Sequence, residues 1–270
     1  MQHRPSRPGS RARLTGLVAL LPLLAALLAG LTGCGPSTAA AARPAIPAPG
    51  MDVGTQVDAA LPGWLTALPL RDGAGRTVRL SEFAGKTLVV SDTMTLCQET
   101  CPIDTAAVVQ TAARVAADGA AGRVEFLSIT VDPQRDTPAQ IAGYRKLYAG
   151  APSNWQVLTG SPDDVARLWS FFGVYRQRTK PDPGATNWRT GAKLTYDVEH
   201  SDEVFFCAAG QERFVLEGVP DVPDPSRVPA RLRAYLSSTG RGYLQRPPST
   251  SWTVPQALAT LSWLTQRRLA

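Results

Sequence analysis

Residues 96 to 102 read LCQETCP, two cysteines four positions apart with a proline directly behind the second. Thiols at this spacing can form a structural disulfide, a redox couple or part of a soft metal site. A disulfide between Cys97 and Cys101 would close so short a loop that it would remove little chain entropy. Redox couples more often have two intervening residues than three. A metal site needs further donors: structural zinc usually takes four protein ligands, whereas Cu(I) suits two thiolates and an imidazole. The chain has two histidines, His3 and His200.

The cysteines fall where a buried strand, TLVVSD from Thr87, gives way to a helix over Ile103 to Ala117 with Pro102 in its first turn. Positions i and i+4 share a helix face, so the two sulfurs can converge. Amides at a helix N-terminus favour thiolate over thiol, and both cysteines are expected to have lowered pKa values.

Around them, LPLRDGAGRTVRL predicts a hairpin at Asp72-Gly73-Ala74-Gly75. RVEFLSITV predicts a strand, Thr137 with Pro138 starts a helix, WQVLTG is a third strand, and Ser161 with Pro162 starts another helix. Strands alternating with helices imply parallel pairing through crossovers. DEVFFCAAGQERFVLEG adds an antiparallel hairpin, and residues 251 to 269 a closing amphipathic helix. Together these describe an α/β protein of thioredoxin-like fold, a central mixed sheet flanked by helices. In that fold the loop entering the last hairpin faces the N-terminus of the first helix, and His200 sits in that loop, within TYDVEHSDEVFF. A lone loop histidine is ordinarily a solvated residue. Here it is also the missing donor.

The N-terminus reads as targeting. Arg4, Arg7, Arg11 and Arg13 precede an apolar run from Leu14 to Leu31, and Leu31-Thr32-Gly33-Cys34 resembles the lipobox of bacterial lipoproteins. The expectation is a lipoprotein signal peptide over residues 1–33, lipidation at Cys34, an Ala/Pro/Gly-rich flexible tether over 34–63 and a domain over 64–270. A transmembrane anchor or simple secretion are the alternatives, and all three place the domain outside the cytoplasm. Cleavage removes four arginines and no acids, taking the formal charge from +6 to +2. No basic run with interleaved aromatics remains, so nucleic acid is not an expected partner. Cleavage also leaves His200 as the mature chain's one histidine, and three thiols at 97, 101 and 207 besides the lipid acceptor. Cys207, in the apolar VFFC, is expected to be a buried core thiol. Residues 219–250, rich in Pro, Gly and Arg apart from a short helix around Pro229 to Leu236, read as a surface insertion.

Several stretches then resemble the Sco/SenC family: LRDGAGRTVRLSEFAGK at 70 to 86, TLCQETCP at 95 to 102, VDPQRDTP at 131 to 138, LTGSPDDV at 158 to 165 and YDVEHS at 196 to 201. The resemblance implies that Cys97, Cys101 and His200 bind copper, as Cu(I) or Cu(II). It implies delivery of that copper to the copper-receiving subunit of cytochrome c oxidase during assembly, from a lipid anchor on the extracytoplasmic face of the bacterial membrane. This is a binding role without turnover. Some members have thiol-disulfide roles, and the alternative is a reductase with Cys97 and Cys101 as its redox pair. Asp132, Pro133, Arg135 and Asp136 match the family's acidic loop, for which a structural or docking role is expected, with Arg135 and Asp136 readable as a surface ion pair. Two features depart from the pattern. Gln98 stands where the family usually has proline, and Asp92-Thr93-Met94 precede the pair where an aromatic is usual. Met94 reads as a packed side chain or as a soft thioether near copper.

Overall fold

The computed structural model describes residues 44–249 and 251–270. The expected signal peptide (1–33), Cys34 and the tether as far as residue 43 lie outside them. In chain order the described residues form β1 (Thr55–Ala60), α1 (Gly63–Thr66), β2 (Leu70–Arg71), β3 (Thr77–Val78), β4 (Thr87–Thr93), α2 (Cys101–Ala117), β5 (Val124–Thr130), α3 (Pro138–Leu147), β6 (Trp155–Leu158), α4 (Pro162–Phe172), β7 (Arg176–Thr179), β8 (Asp197–His200), β9 (Glu203–Ala208), β10 (Gln211–Glu217), α5 (Ala230–Tyr235), α6 (Ser238–Gln245) and α7 (Val254–Thr265).

β4 and β5 are buried along their whole length, as strands covered on both faces must be. They pair in parallel, as do β5 and β6, while β9 lies antiparallel to β4 on its other side. The six-stranded order is β1-β10-β9-β4-β5-β6. Two crossovers through α2 and α3 followed by an antiparallel hairpin make this the thioredoxin-like arrangement read from the sequence. Side chains alternate across the strands: Val89 and Phe206 face a core with α2, α3 and α7, while Val90 and Phe205 face one with α1 and α4. The expected caps are present, Thr137 accepting from the Gln140 amide and Ser161 from that of Asp164. The β9–β10 turn is two residues, Ala209 and Gly210, both at positive φ, as a tight right-twisting hairpin requires.

Three regions differ from the sequence reading. Thr55–Ala60, assigned by composition to the tether, is the edge strand β1 paired with β10. Its polar residues face out and its partner supplies the order. Residues 219–250, read as a surface insertion, carry α5 and α6 and are anchored by Val228, Leu232 and Leu236, which are buried in the domain. The third region carries His200. It ends β8, which pairs with β7 in a two-stranded ribbon outside the main sheet. RQRT and DVEH lack an apolar alternation, so nothing in them announced a strand.

Candidate metal centre

β4 delivers the chain to a turn in which the Cys97 amide donates to the Met94 carbonyl at 3.1 Å, and α2 begins at Cys101 with Pro102 behind it. Only Cys101 is therefore helical, and Cys97 reaches it from the preceding loop. From the other side β8 brings His200, whose Nε2 lies 3.2 Å from the Cys101 sulfur. The two sulfurs and a ring nitrogen all lie within 4.8 Å of one another. Donors bonded to one ion at about 2.0–2.3 Å stand roughly 3.5–4 Å apart, so the three are close enough to share a metal. The group is shielded, with Cys97 7% and Cys101 1% exposed and the His200 side chain 4% exposed.

The histidine is held in register from behind. Its Nδ1 stands 2.8 Å from the Ser201 carbonyl and 2.8 Å from a carboxylate oxygen of Asp92 at the end of β4. With the hydrogen on Nδ1, the Nε2 lone pair faces the sulfurs, as in metal sites whose histidine is oriented by a carboxylate. Asp92 also accepts the Glu203 amide at 2.8 Å, tying β9 to the same point. Thr100, at the N-cap of α2, donates to Asp202 at 2.8 Å instead of capping the helix. Asp202 and the buried Asp104 were not among the residues singled out from sequence, and Asp92 was noted only as part of a departure from the family pattern. The available signal was Asp92 itself, a charged residue closing an apolar strand.

These surroundings split the two thiols, contrary to the expectation that both would be lowered. A hydrogen bond from Cys101, with others and charge from His200, holds the Cys97 thiol well below its usual range against the cost of burial. Burial, the neighbouring Cys97 sulfur and the carboxylates of Asp202 and Asp104 push the Cys101 thiol well up. Burial disfavours the charged imidazole, yet the hydrogen bond and charge of Asp92 and the contact with Cys97 raise His200 well above its ordinary value. Burial and nearby Asp92 lift Asp202 to about 7. Without a metal these directions favour a thiolate at Cys97 beside a protonated imidazole at His200, and a soft cation would displace the protons.

The VDPQRDTP stretch locks the two halves together. Arg135 is not in a surface pair with Asp136: its side chain is 13% exposed and pairs with Asp132 and, at 3.6 Å, Asp197. Its guanidinium also donates to the Tyr196 carbonyl and to the Met94 sulfur at 3.2 Å. The Tyr196 ring packs against two guanidiniums, Arg135 at 4.0 Å and Arg178 at 4.2 Å, and its hydroxyl donates to Asp132 at 2.8 Å. One arginine thus links the turn before Cys97 to the strand that ends in His200. Met94 is a packed side chain whose sulfur accepts from Arg135. Asp136 is buried, accepting from Thr95 and Thr130. Cys207 is the expected buried thiol.

Comparison with known proteins follows this geometry. The mitochondrial SCO2 homolog of Bos taurus is 28% identical over 139 residues, 52% of this chain and 48% of that protein, so the chain spans about half the length of this curated relative. The copper-bound ScoI of Bradyrhizobium japonicum is 22% identical, covering 68% of this chain and 99% of that one at a TM-score of 0.42. BsSco, a member of the Sco family of cytochrome c oxidase assembly proteins, is 20% identical, covering 68% and 97% at a TM-score of 0.47. The SCO1/SenC family model matches from residue 67 to 237, more than half of the chain, and takes in both cysteines and the histidine. On that match the chain belongs to the SCO1/SenC family.

Proposed function

We propose that Cys97, Cys101 and His200 bind one copper ion, which the protein delivers to the copper-receiving subunit of cytochrome c oxidase. The supporting observation is the convergence within 4.8 Å of two sulfurs and an imidazole drawn from segments about a hundred residues apart. Two thiolates and one imidazole are the soft, three-donor set that suits Cu(I), whereas a structural zinc site usually takes four. The copper is cargo. An open position on a three-coordinate ion lets an incoming thiolate or imidazole attach before a donor leaves. Delivery to the oxidase follows from the family resemblance. Attachment through a lipid on Cys34, outside the cytoplasm, is part of the same proposal; among the described residues no helix is long and apolar enough to cross a membrane.

One observation favours a second reading, that of a thiol-disulfide reductase. Cys97 is held low and Cys101 high, the asymmetry of a dithiol in which one sulfur attacks and the other waits protonated. Copper titration of the purified protein separates the two. Wild type is expected to bind one equivalent and His200→Ala to bind it far more weakly. Unchanged copper affinity in His200→Ala, with disulfide reduction intact there and lost in Cys97→Ser, would replace the first reading by the second.

A further inference from the structure

We infer that the segment from Tyr235 to Gly240 is the positioning element of the cysteine loop, and that it sets how slowly the proposed metal site lets go of its ion. The inference about metal rests on the copper reading above; the inference about the loop does not.

Two backbone carbonyls flanking Cys97 are held from this one segment. The Tyr235 hydroxyl, at the end of α5, donates to the Leu96 carbonyl at 3.2 Å. The Ser237 amide donates to the Gln98 carbonyl at 2.7 Å. Ser237 is also the N-cap of α6, its hydroxyl accepting the Gly240 amide at 3.1 Å, so the helix starts where it grips the loop. Its hydroxyl reaches the Glu99 carboxylate at 3.5 Å as well.

Packing gives the same answer independently. A Cβ on Gly240 would stand 2.5 Å from the Gln98 carbonyl oxygen, 2.9 Å from Glu99 Cα and 3.0 Å from the Glu99 carbonyl oxygen. All three are backbone atoms, which cannot swing aside as a side-chain tip can. Glycine inside a helix is unfavourable relative to alanine, and Gly240 needs no left-handed φ. What requires glycine there is the closeness of the loop. Gly242, on the same helix, supplies the contrast, since a Cβ on it would meet nothing within 4 Å.

The chain between the two sulfurs is thus fixed from outside. A preorganised donor pair loses less freedom on binding and releases its ion more slowly.

The test uses the full-length protein in detergent, with Gly240→Ala, Tyr235→Phe and Gly242→Ala. Two rates are read: transfer of Cu(I) from the loaded protein to a soluble bidentate chelator, and alkylation of Cys97 by iodoacetamide in the metal-free protein. Gly240→Ala and Tyr235→Phe are expected to accelerate both by about tenfold or more, the size of effect that supporting groups of a metal site commonly have, and Gly242→Ala to leave both at the wild-type value. Tyr235→Phe keeps the ring and loses one donor, so it carries the test if Gly240→Ala does not fold, and its unchanged melting temperature separates positioning from general stability. Wild-type rates in Tyr235→Phe and in any folded Gly240→Ala would overturn the inference. A wild-type protein that bound no copper would sink the copper reading, while the alkylation rates would still decide the role of the segment.

Discussion

The Nδ1 atom of His200 lies 2.8 Å from a carboxylate oxygen of Asp92, so the last turn of a ribbon outside the main sheet is pinned to the end of a central strand. With the Ser201 carbonyl, 2.8 Å from the same nitrogen, this contact turns Nε2 toward the sulfurs.

Replacing that carboxylate tests the pinning. Asp92→Asn removes the charge that favours a proton on Nδ1 and should weaken copper binding by about 10- to 100-fold. Competition against a Cu(I) chelator of known affinity checks this, and an unchanged affinity would mean that Ser201 alone orients the ring.

The split between the two thiols predicts an order of reaction. In the metal-free protein near neutral pH, iodoacetamide should label Cys97 first, Cys101 later and Cys207 only after denaturation, because burial pushes the Cys207 thiol up and closes access. Mass spectrometry of peptides over time reads the order directly. Equal rates at 97 and 101 would contradict the asymmetry.

Arg135 should matter for stability out of proportion to its sequence context. Arg135→Gln leaves the buried Asp132 without its cation and frees both the Met94 and Tyr196 contacts. Removing one partner of a buried pair costs about 3–5 kcal/mol; with part of this site open to water, a loss of roughly 2 kcal/mol is expected. The shift in urea midpoint at constant slope measures it.

The buried carboxyl of Asp136 gives a pH dependence with a definite sign. Burial, working against hydrogen bonds from Thr130 and Thr95, raises it to about 6, whereas an unfolded aspartate titrates near 3.9. The native state then binds the extra proton, so this group's contribution to stability falls as pH rises from about 4 to about 6. The effect is at most about 1.4 kcal/mol per pH unit within that window. Asp136→Asn should lack it, and stability curves of wild type and variant that run parallel from pH 4 to 6 would refute the assignment.

What could be read from the sequence was what rests on strong local patterns. The junction at Cys97 and Cys101, the capped starts at Thr137 and Ser161 and the hairpin in DEVFFCAAGQERFVLEG are each specified within a few residues, and together they imposed the fold. His200 could be read because, with His3 assigned to an expected signal peptide, it was the imidazole left to complete a donor set. Asp92 could not, since its role exists only through the pairing of β4 with β9 and the return of β8 above it. The β7–β8 ribbon was invisible because its order comes from Arg135 and Arg178 gripping Tyr196, a contact between distant segments. In the stretch read as a surface insertion, the short helix around Pro229 to Leu236 was legible and α6 was not: helices this short do not hold together alone, and buried Leu232 and Leu236 supply the missing support.

The separation of the donors along the chain has a consequence for biogenesis. A nascent or partly opened chain presents only a dithiol, and the third donor arrives when the ribbon docks, after about a hundred further residues have found their places. A cation that needs all three donors therefore discriminates finished molecules from unfinished ones, and by mass action it stabilises the finished state it selects. On the copper reading, loading doubles as quality control: a misfolded copy would stay empty and would have nothing to hand on.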